Sequence, residues 1–380
     1  MDILIAPDSF KGSLSSVEAA QAIERGVRKA LTGAKIVLVP VADGGEGTLD
    51  SLVIATNGHK EQVTVKGPLM EPVEAAYGVL GDQKTCVIEM ANASGLCLIK
   101  DKDRNPMVTT TYGTGQLIKS ALDAGYRHFI LAIGGSATND GGAGMLQALG
   151  MKLLDSRGGS IGKGGEHLAR IAKIDEQEFD QRIQHCSFLI ASDVDNPLVG
   201  PKGASRVFGP QKGATPEMVQ ELDQNMAHWA DAIEKHTGIR LHDKEGAGAA
   251  GGIGGAFQAF FPSESRRGID IVMEYAKLDE YLRKADCVFT GEGRIDFQTA
   301  YGKAPAGIAQ AAAKYGVPVF ALTGSIGNGI DELYGYGITS VHSIINSAMD
   351  LEAAIFCAAE LLEFTAEQVI RTFVASKRMA

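Results

Sequence analysis

The chain has 380 residues, 45% hydrophobic and 22% charged, enough for two α/β domains and at least one large core. Acidic residues outnumber basic ones, 46 to 36, for a net charge of −10. This argues against nucleic acid as a partner but leaves room for a phosphorylated ligand held at a local positive site. The five cysteines (Cys86, Cys97, Cys186, Cys287, Cys357) form no CxxC, so neither structural zinc nor a disulfide framework is expected and all five are read as buried free thiols.

The N-terminus, MDILIAPDSF, lacks the basic region and apolar stretch of a signal peptide. No apolar run of about 18 residues occurs, so no membrane span and a cytoplasmic location are expected. Ile3 to Ala6 reads as a short buried strand ending at Pro7-Asp8-Ser9. Ser15 and Glu18 form a capping box, and Ala19, Ile23, Val27 and Ala30 share one helical face. Ile36 to Val41 is the next strand, running into Ala42-Asp43-Gly44-Gly45-Glu46-Gly47. Strand, helix, strand implies parallel pairing through a right-handed crossover.

The texture changes near Gln62. Three short β-like runs broken by Gly-Pro and Gly-Asp turns leave no room for a helix between them, which predicts antiparallel strands and entry into a second domain. Alternation then resumes, with a helix over Leu117–Ala124 and strands over His128–Ile133 and Phe188–Ala191. Thr215-Pro216 predicts an N-cap and first helical position for a helix over Glu217–Lys235. Strands follow over Asp286–Thr290, Val317–Leu322 and Ser340–Ile345, and a last helix over Leu351–Arg371. The fold class is therefore α/β with a doubly wound parallel sheet and an inserted domain carrying a mixed sheet. Residues 1–64 and 284–380 are assigned to the first, discontinuous domain and 65–283 to the insertion.

The 47 glycines follow no fixed period. They gather with Asp, Ser, Thr and Asn in loops at the ends of apolar runs, the edge where open α/β sheets bind ligands. Gly134-Gly135-Ser136-Ala137-Thr138-Asn139-Asp140-Gly141-Gly142 follows a strand, and either phosphate or carboxylate binding or a tightly packed turn would use such a loop. No Walker-type G-x-x-x-x-G-K-[ST] exists in the chain. A G-x-G-x-x-G at Gly246–Gly251 follows Arg240-Leu241-His242-Asp243-Lys244-Glu245 rather than a buried strand, so packing or a flexible lid competes with phosphate contact there. Strand-end carboxylates are Asp8, Asp43, Glu46, Asp193, Asp195, Glu292 and Asp296. Phosphoryl transfer needs such groups to hold Mg²⁺ and to accept a hydroxyl proton, although each singly could just cap a helix. Lys11, Lys212, Arg294 and Lys303 (in Gly302-Lys303-Ala304-Pro305) are the cations beside these loops. Lys212 and Arg294, embedded in glycine, stand out most from ordinary surface charge. Neither H-E-x-x-H nor G-x-S-x-G is present.

IAPDSFKGSLS from Ile5, PVADGGEGT from Pro40, IGGSATNDGG from Ile133, SDVDNPLVG from Ser192, FGPQKGAT from Phe208 and TGEGRIDFQT from Thr290 closely resemble the bacterial glycerate kinase family, in order and over nearly the whole chain. The resemblance implies an ATP-dependent, Mg²⁺-requiring kinase of D-glycerate, yielding mostly 2-phosphoglycerate, with 3-phosphoglycerate the alternative. It implies a discontinuous flavodoxin-like domain, an inserted α/β domain and an active site in the cleft between them. By the match, Asp8, Ser9, Lys11, Asp43, Gly44, Gly45, Glu46, Gly291, Glu292, Gly293, Arg294 and Asp296 line it from the first domain. Gly134, Gly135, Ser136, Thr138, Asp193, Asp195, Asn196 and Lys212 line it from the second. Asp193 is assigned the base with Asp195 as its rival, Asp43 and Asp296 the metal, Arg294 the glycerate carboxylate, and Lys11 or Lys212 the transferring phosphate. Asn92 departs from the small apolar residue expected there.

Three other readings compete. They are a kinase of another small hydroxy acid, a non-catalytic sensor of a phosphorylated metabolite, and a nicotinamide dehydrogenase resting only on the misplaced G-x-G-x-x-G. The carboxylates argue against the sensor, since anion binding does not need them. The sequence sets no oligomeric state, and a homo-oligomer is compatible with it.

Overall fold

The structure, a computed structural model, describes residues 1–300 and 303–379. The chain forms two compact units, one of residues 1–43, 50–56 and 267–380, the other of residues 44–49 and 57–266. The sequence expectation put the same junctions at 64/65 and 283/284.

In the first unit, β1 (Asp2–Ile5), β2 (Lys35–Leu38), β11 (Cys287–Ile295), β12 (Val319–Ile326) and β13 (Ile338–Ser343) form an all-parallel sheet ordered β13-β12-β11-β1-β2. Numbered within the unit this is 2-1-3-4-5, the flavodoxin-like order, whose strand sequence reverses between β1 and β11. The strands read as near-continuous apolar runs because helices cover both faces of a parallel sheet. The Ser16–Ala30 helix begins at the expected capping box: Ser15 accepts from the Glu18 amide, and Glu18 accepts from the Ser15 amide. Its apolar face, through Ala19, Ile23 and Val27, packs with Phe289, Leu362 and Ile370. The single long C-terminal helix expected from periodicity is two, Leu351–Phe356 and Ala358–Met379, divided at Cys357.

The second unit holds β3 (His59–Lys66), β4 (Pro72–Val79), β5 (Thr85–Glu89), β6 (His128–Ala132), β9 (Ser187–Ala191) and β10 (Ser263–Arg266) in the order β10-β9-β6-β5-β4-β3. β3, β4 and β5 pair antiparallel, while β5, β6, β9 and β10 are parallel. This is the mixed sheet that the change of texture near Gln62 foreshadows. A separate ribbon joins β7 (Lys152–Leu154) to β8 (Lys173–Asp175). Phe129 and Phe188, on neighbouring strands, stack at 4.8 Å, and Phe257 and Trp229 extend the core beneath them. Thr215 caps the Pro216–Thr237 helix as expected, accepting from the Met218 amide.

Cys86, Cys186 and Cys287 are buried free thiols, but Cys97 is exposed and Cys357 half-buried. The expectation of five buried thiols fails at those two: Cys97 is the middle residue of the short surface turn Leu96–Leu98, and Cys357 follows the end of the short helix Leu351–Phe356. Among the described residues no helix is long and apolar enough to cross a membrane.

Candidate active site

In the first unit the candidate carboxylates gather where the strand order reverses. The chain leaves β1 through Pro7 into Asp8, whose amide donates to the Gly291 carbonyl of β11 at 2.8 Å. Glu292 follows on β11, and Asp43 ends the segment after β2. Asp8 is 8% exposed. Its carboxyl is pushed up to about 8, first by burial and then by the charges of Asp43 and Glu292, against the Ser9 amide that donates to it at 2.5 Å. Glu292 is also raised by burial, opposed by the charge of Lys303 (3.2 Å) and by the hydrogen bond that the Thr299 hydroxyl donates to it (2.7 Å). Two strand-end carboxylates thus press on a third.

The remaining first-unit candidates lie around this group. Gly291 is buried, and Gly293 lets the backbone of Phe10 and Lys11 approach. Lys11 is exposed and Ser9 half-buried. Arg294, 68% exposed, donates to the Asp296 carboxylate at 3.0 Å. The other Asp296 oxygen accepts from the Gln298 amide at 2.9 Å. Both oxygens expected to bind metal are therefore engaged in closing the turn after β11. Lys303 meets Glu292, while the adjoining Gly302 lies outside the described residues.

The second unit presents backbone rather than charge. Gly44 and Gly134 meet where β6 and β9 end: the Gly134 amide donates to the Gly44 carbonyl at 3.1 Å. A Cβ on Gly134 would stand 2.6 Å from Gly45 Cα, and one on Gly44 would stand 2.8 Å from the Ala191 carbonyl. Only glycine permits this approach. Asp193 follows β9 two residues on and is half-buried, with Asp195 exposed beyond it. Asn196 shapes its own loop, donating to the Lys202 carbonyl at 2.8 Å. Glu46 is exposed.

The Gly134–Gly142 loop is pinned from behind rather than open as a nest of amides. The Ala137 amide goes to Ser94, that of Gly141 to Gly251 and that of Gly142 to the Asp140 carboxylate. Ser136 and Thr138, expected to touch ligand, are buried and bonded to Lys212. Gly134 and Gly135 are the part that reaches solvent. Lys212, expected to touch phosphate, is 2% exposed.

The G-x-G-x-x-G resolves as a packing device. Ala250, Gly251 and Gly252 take three successive left-handed conformations, and the Gly248 amide donates to the Asn196 carbonyl. A Cβ on Gly251 would lie 1.9 Å from the Thr138 carbonyl. Gly251→Ala is expected to lower stability by about 1–3 kcal/mol through overpacking and backbone strain. Thermal unfolding checks this, and an unchanged midpoint would show that the loop yields freely.

Sequence reasoning missed Glu89. This residue ends β5, is buried, and accepts from the Gly47 and Leu49 amides at 3.1 and 3.2 Å, fixing the Gly44–Gly47 loop. Its only local signal is a carboxylate ending the apolar run Cys86-Val87-Ile88. One further His/carboxylate group exists among the described residues, Asp231, Glu234 and His242. Arg240 pairs with Glu234 at 3.4 Å and Asp231 is largely exposed, the character of a surface ion-pair cluster.

The model of the glycerate kinase family matches residues 3–374. The chain is 53% identical over its whole length to the glycerate kinase of Bacillus subtilis (strain 168), covering 99% of that relative. It is 47% identical to the glycerate 2-kinase of Escherichia coli (strain K12), with both chains fully covered. A crystal structure of a protein assigned as glycerate kinase 2 from Salmonella typhimurium LT2 superposes with a TM-score of 0.87 at 47% identity, covering all of this chain and 99% of that one. With its flavodoxin-like sheet, its strand-end carboxylates and relatives of this closeness over its full length, the chain belongs to the glycerate kinase family and is a kinase.

Proposed function

We propose that the enzyme transfers the γ-phosphoryl group of ATP to D-glycerate and forms 2-phosphoglycerate, with Mg²⁺ held by the first unit's carboxylates. The observation that carries this reading is the convergence of Asp43 and Glu292 on buried Asp8 at the strand-order reversal. Hard carboxylate oxygens are the donors Mg²⁺ takes, and the repulsion on Asp8 is what a divalent cation relieves, so the residues fit the ion. Asp8 and Asp43 are the ligands proposed. Asp296 instead holds Arg294 in place to meet the glycerate carboxylate. Bound there, Mg²⁺ would neutralise charge on the phosphates.

The other roles fall to the chain's own groups. Asp193 is assigned the base that takes the proton of the attacking hydroxyl, with Asp195 the alternative. The glycine edge at Gly44, Gly45, Gly134 and Gly135 lets backbone approach an anionic ligand. Lys11, exposed and close in sequence to Ser9, is the cation assigned to the transferring phosphate. Transfer to the 2-position is supported by the E. coli relative named a glycerate 2-kinase. Five free cysteines suit a reducing cytoplasm.

Proton-coupled phosphorus NMR of a reaction with D-glycerate, ATP and Mg²⁺ tests both substrate and position. A phosphate on C2 couples to one carbon-bound proton and gives a doublet; on C3 it couples to two and gives a triplet. The doublet is expected. A triplet would overturn the position, and no new resonance from folded protein would overturn the activity.

A further inference from the structure

Lys212 is the one cationic side chain among the described residues that is fully buried, and the roles above leave it unused. It ends the short turn Pro210–Lys212, and its ammonium donates to Ser136 Oγ at 2.8 Å and to the Thr138 carbonyl at 2.6 Å. Both acceptors belong to the loop whose exposed part is Gly134–Gly135. The partners are distant in sequence, so the lysine joins two segments that share no local structure. Nearby, fully buried Asp140 accepts from the Thr111 amide (2.8 Å) and from both the Thr110 and Thr111 hydroxyls. Lys163, over the Tyr112 ring at 4.5 Å, is the other cation in the field of Asp140.

Stability alone is a poor explanation for this arrangement. Burying an ammonium is costly, and a methionine of similar length would fill the space without that cost. An ammonium carries three donors, and two are spent on this one loop. A charge-assisted bond is roughly twice as strong as a neutral one, so the proton on Lys212 governs how firmly the loop is held. It also places a positive charge behind the glycines that face solvent.

We propose that Lys212 is a positioning residue: its buried ammonium, bonded to Ser136 and Thr138, holds the Gly134–Thr138 loop in its ligand-ready geometry and lends it positive charge for the anionic part of a substrate. The inference rests on the reading that this loop borders the substrate site. Burial depresses Lys212 to about 7, with the charge of Asp140 opposing the shift. The latch therefore loosens as pH rises through neutrality.

The test compares Lys212→Met, Lys212→Arg and wild type for kcat, KM and the pH dependence of kcat/KM with D-glycerate and ATP. Wild type is expected to show an alkaline limb, and the expected result for Lys212→Met is a kcat/KM lower by about ten- to a hundredfold, the scale of a misplaced site loop, with that limb lost. Lys212→Arg, which keeps the charge, is expected to recover part of the rate and to move the limb to higher pH. A folded Lys212→Met with kcat/KM close to wild type, or with the limb intact, overturns the proposal. Should Lys212→Met fail to fold, hydrogen exchange on wild type decides instead. Protection of the 134–142 amides, corrected for intrinsic rates, should fall between pH 6 and 8.5 while the β5 and β6 amides hold; uniform behaviour overturns the proposal. Gly135→Asp separates the underlying reading: an added negative charge at the loop should raise KM for one substrate, and unchanged KM for both would show that the loop does not border the site.

Discussion

Asp193→Asn is expected to lower kcat by about 10²–10⁴-fold, the range over which a positioned general base contributes, while leaving the thermal midpoint within a few degrees. Asparagine keeps the shape of the side chain and removes its capacity to accept the hydroxyl proton. Asp193 stands two residues beyond β9, whose last residue, Ala191, touches Gly44. It is thus fixed to a part of the second unit where backbone packs closely against backbone. A base acts only as the reaction proceeds, so kcat and kcat/KM should fall together and KM for D-glycerate should change little. Asp195→Asn is the control. Asp195 is exposed and further along the loop, and its variant should retain most of the turnover. The reverse ranking would transfer the role to Asp195, and near-normal turnover in both would remove the base from this loop.

The carboxyl edge of both sheets was legible because its signal is local. An apolar run that stops at Asp, Gly or Ser marks a strand end within a few residues, and in an open α/β sheet ligands bind at that edge. Contacts made across long stretches of chain were not legible. Glycine on both sides made Lys212 stand out from surface charge, yet its acceptors, Ser136 and Thr138, are named only by the fold. Arg294 had the same glycine context and is a solvent-facing side chain bridged to Asp296; context alone could not separate the two. Glu89 went unnoticed because its partners, Gly47 and Leu49, lie some forty residues earlier. The antiparallel strands β3 to β5 showed in the sequence because they change its periodicity, whereas the helices Gly268–Tyr275 and Leu278–Leu282 bring no change of periodicity that would mark a domain boundary.

Asp8→Asn is expected to make the protein more stable in mild alkali while impairing it as a kinase. The folded state holds the Asp8 proton up to about pH 8, whereas a carboxyl of ordinary value, 3.8, releases it in the unfolded chain far earlier. Between those values the native state binds more protons than the unfolded one, so stability falls as pH rises. The contribution is fully present below about pH 4 and is gone above about pH 8. Asparagine resembles the protonated acid, can still accept from the Ser9 amide, and has no proton to lose. The variant should match wild type at and below about pH 4 and exceed it at pH 8.5, by on the order of a few kcal/mol, since each tenfold change in proton affinity between the folded and unfolded chain corresponds to about 1.4 kcal/mol. Unfolding midpoints of both proteins across this range, with and without Mg²⁺, give the comparison. A cation held by Asp8 and Asp43 would raise the wild-type midpoint most where Asp8 is ionised, by mass action on the folded state alone, and should do little for Asp8→Asn. Parallel midpoint curves would show that Asp8 is not held in this unfavourable state. A gain in stability combined with lost Mg²⁺ response and lost turnover would mean that the first unit gives up stability to keep three carboxylates together for the phosphates they serve.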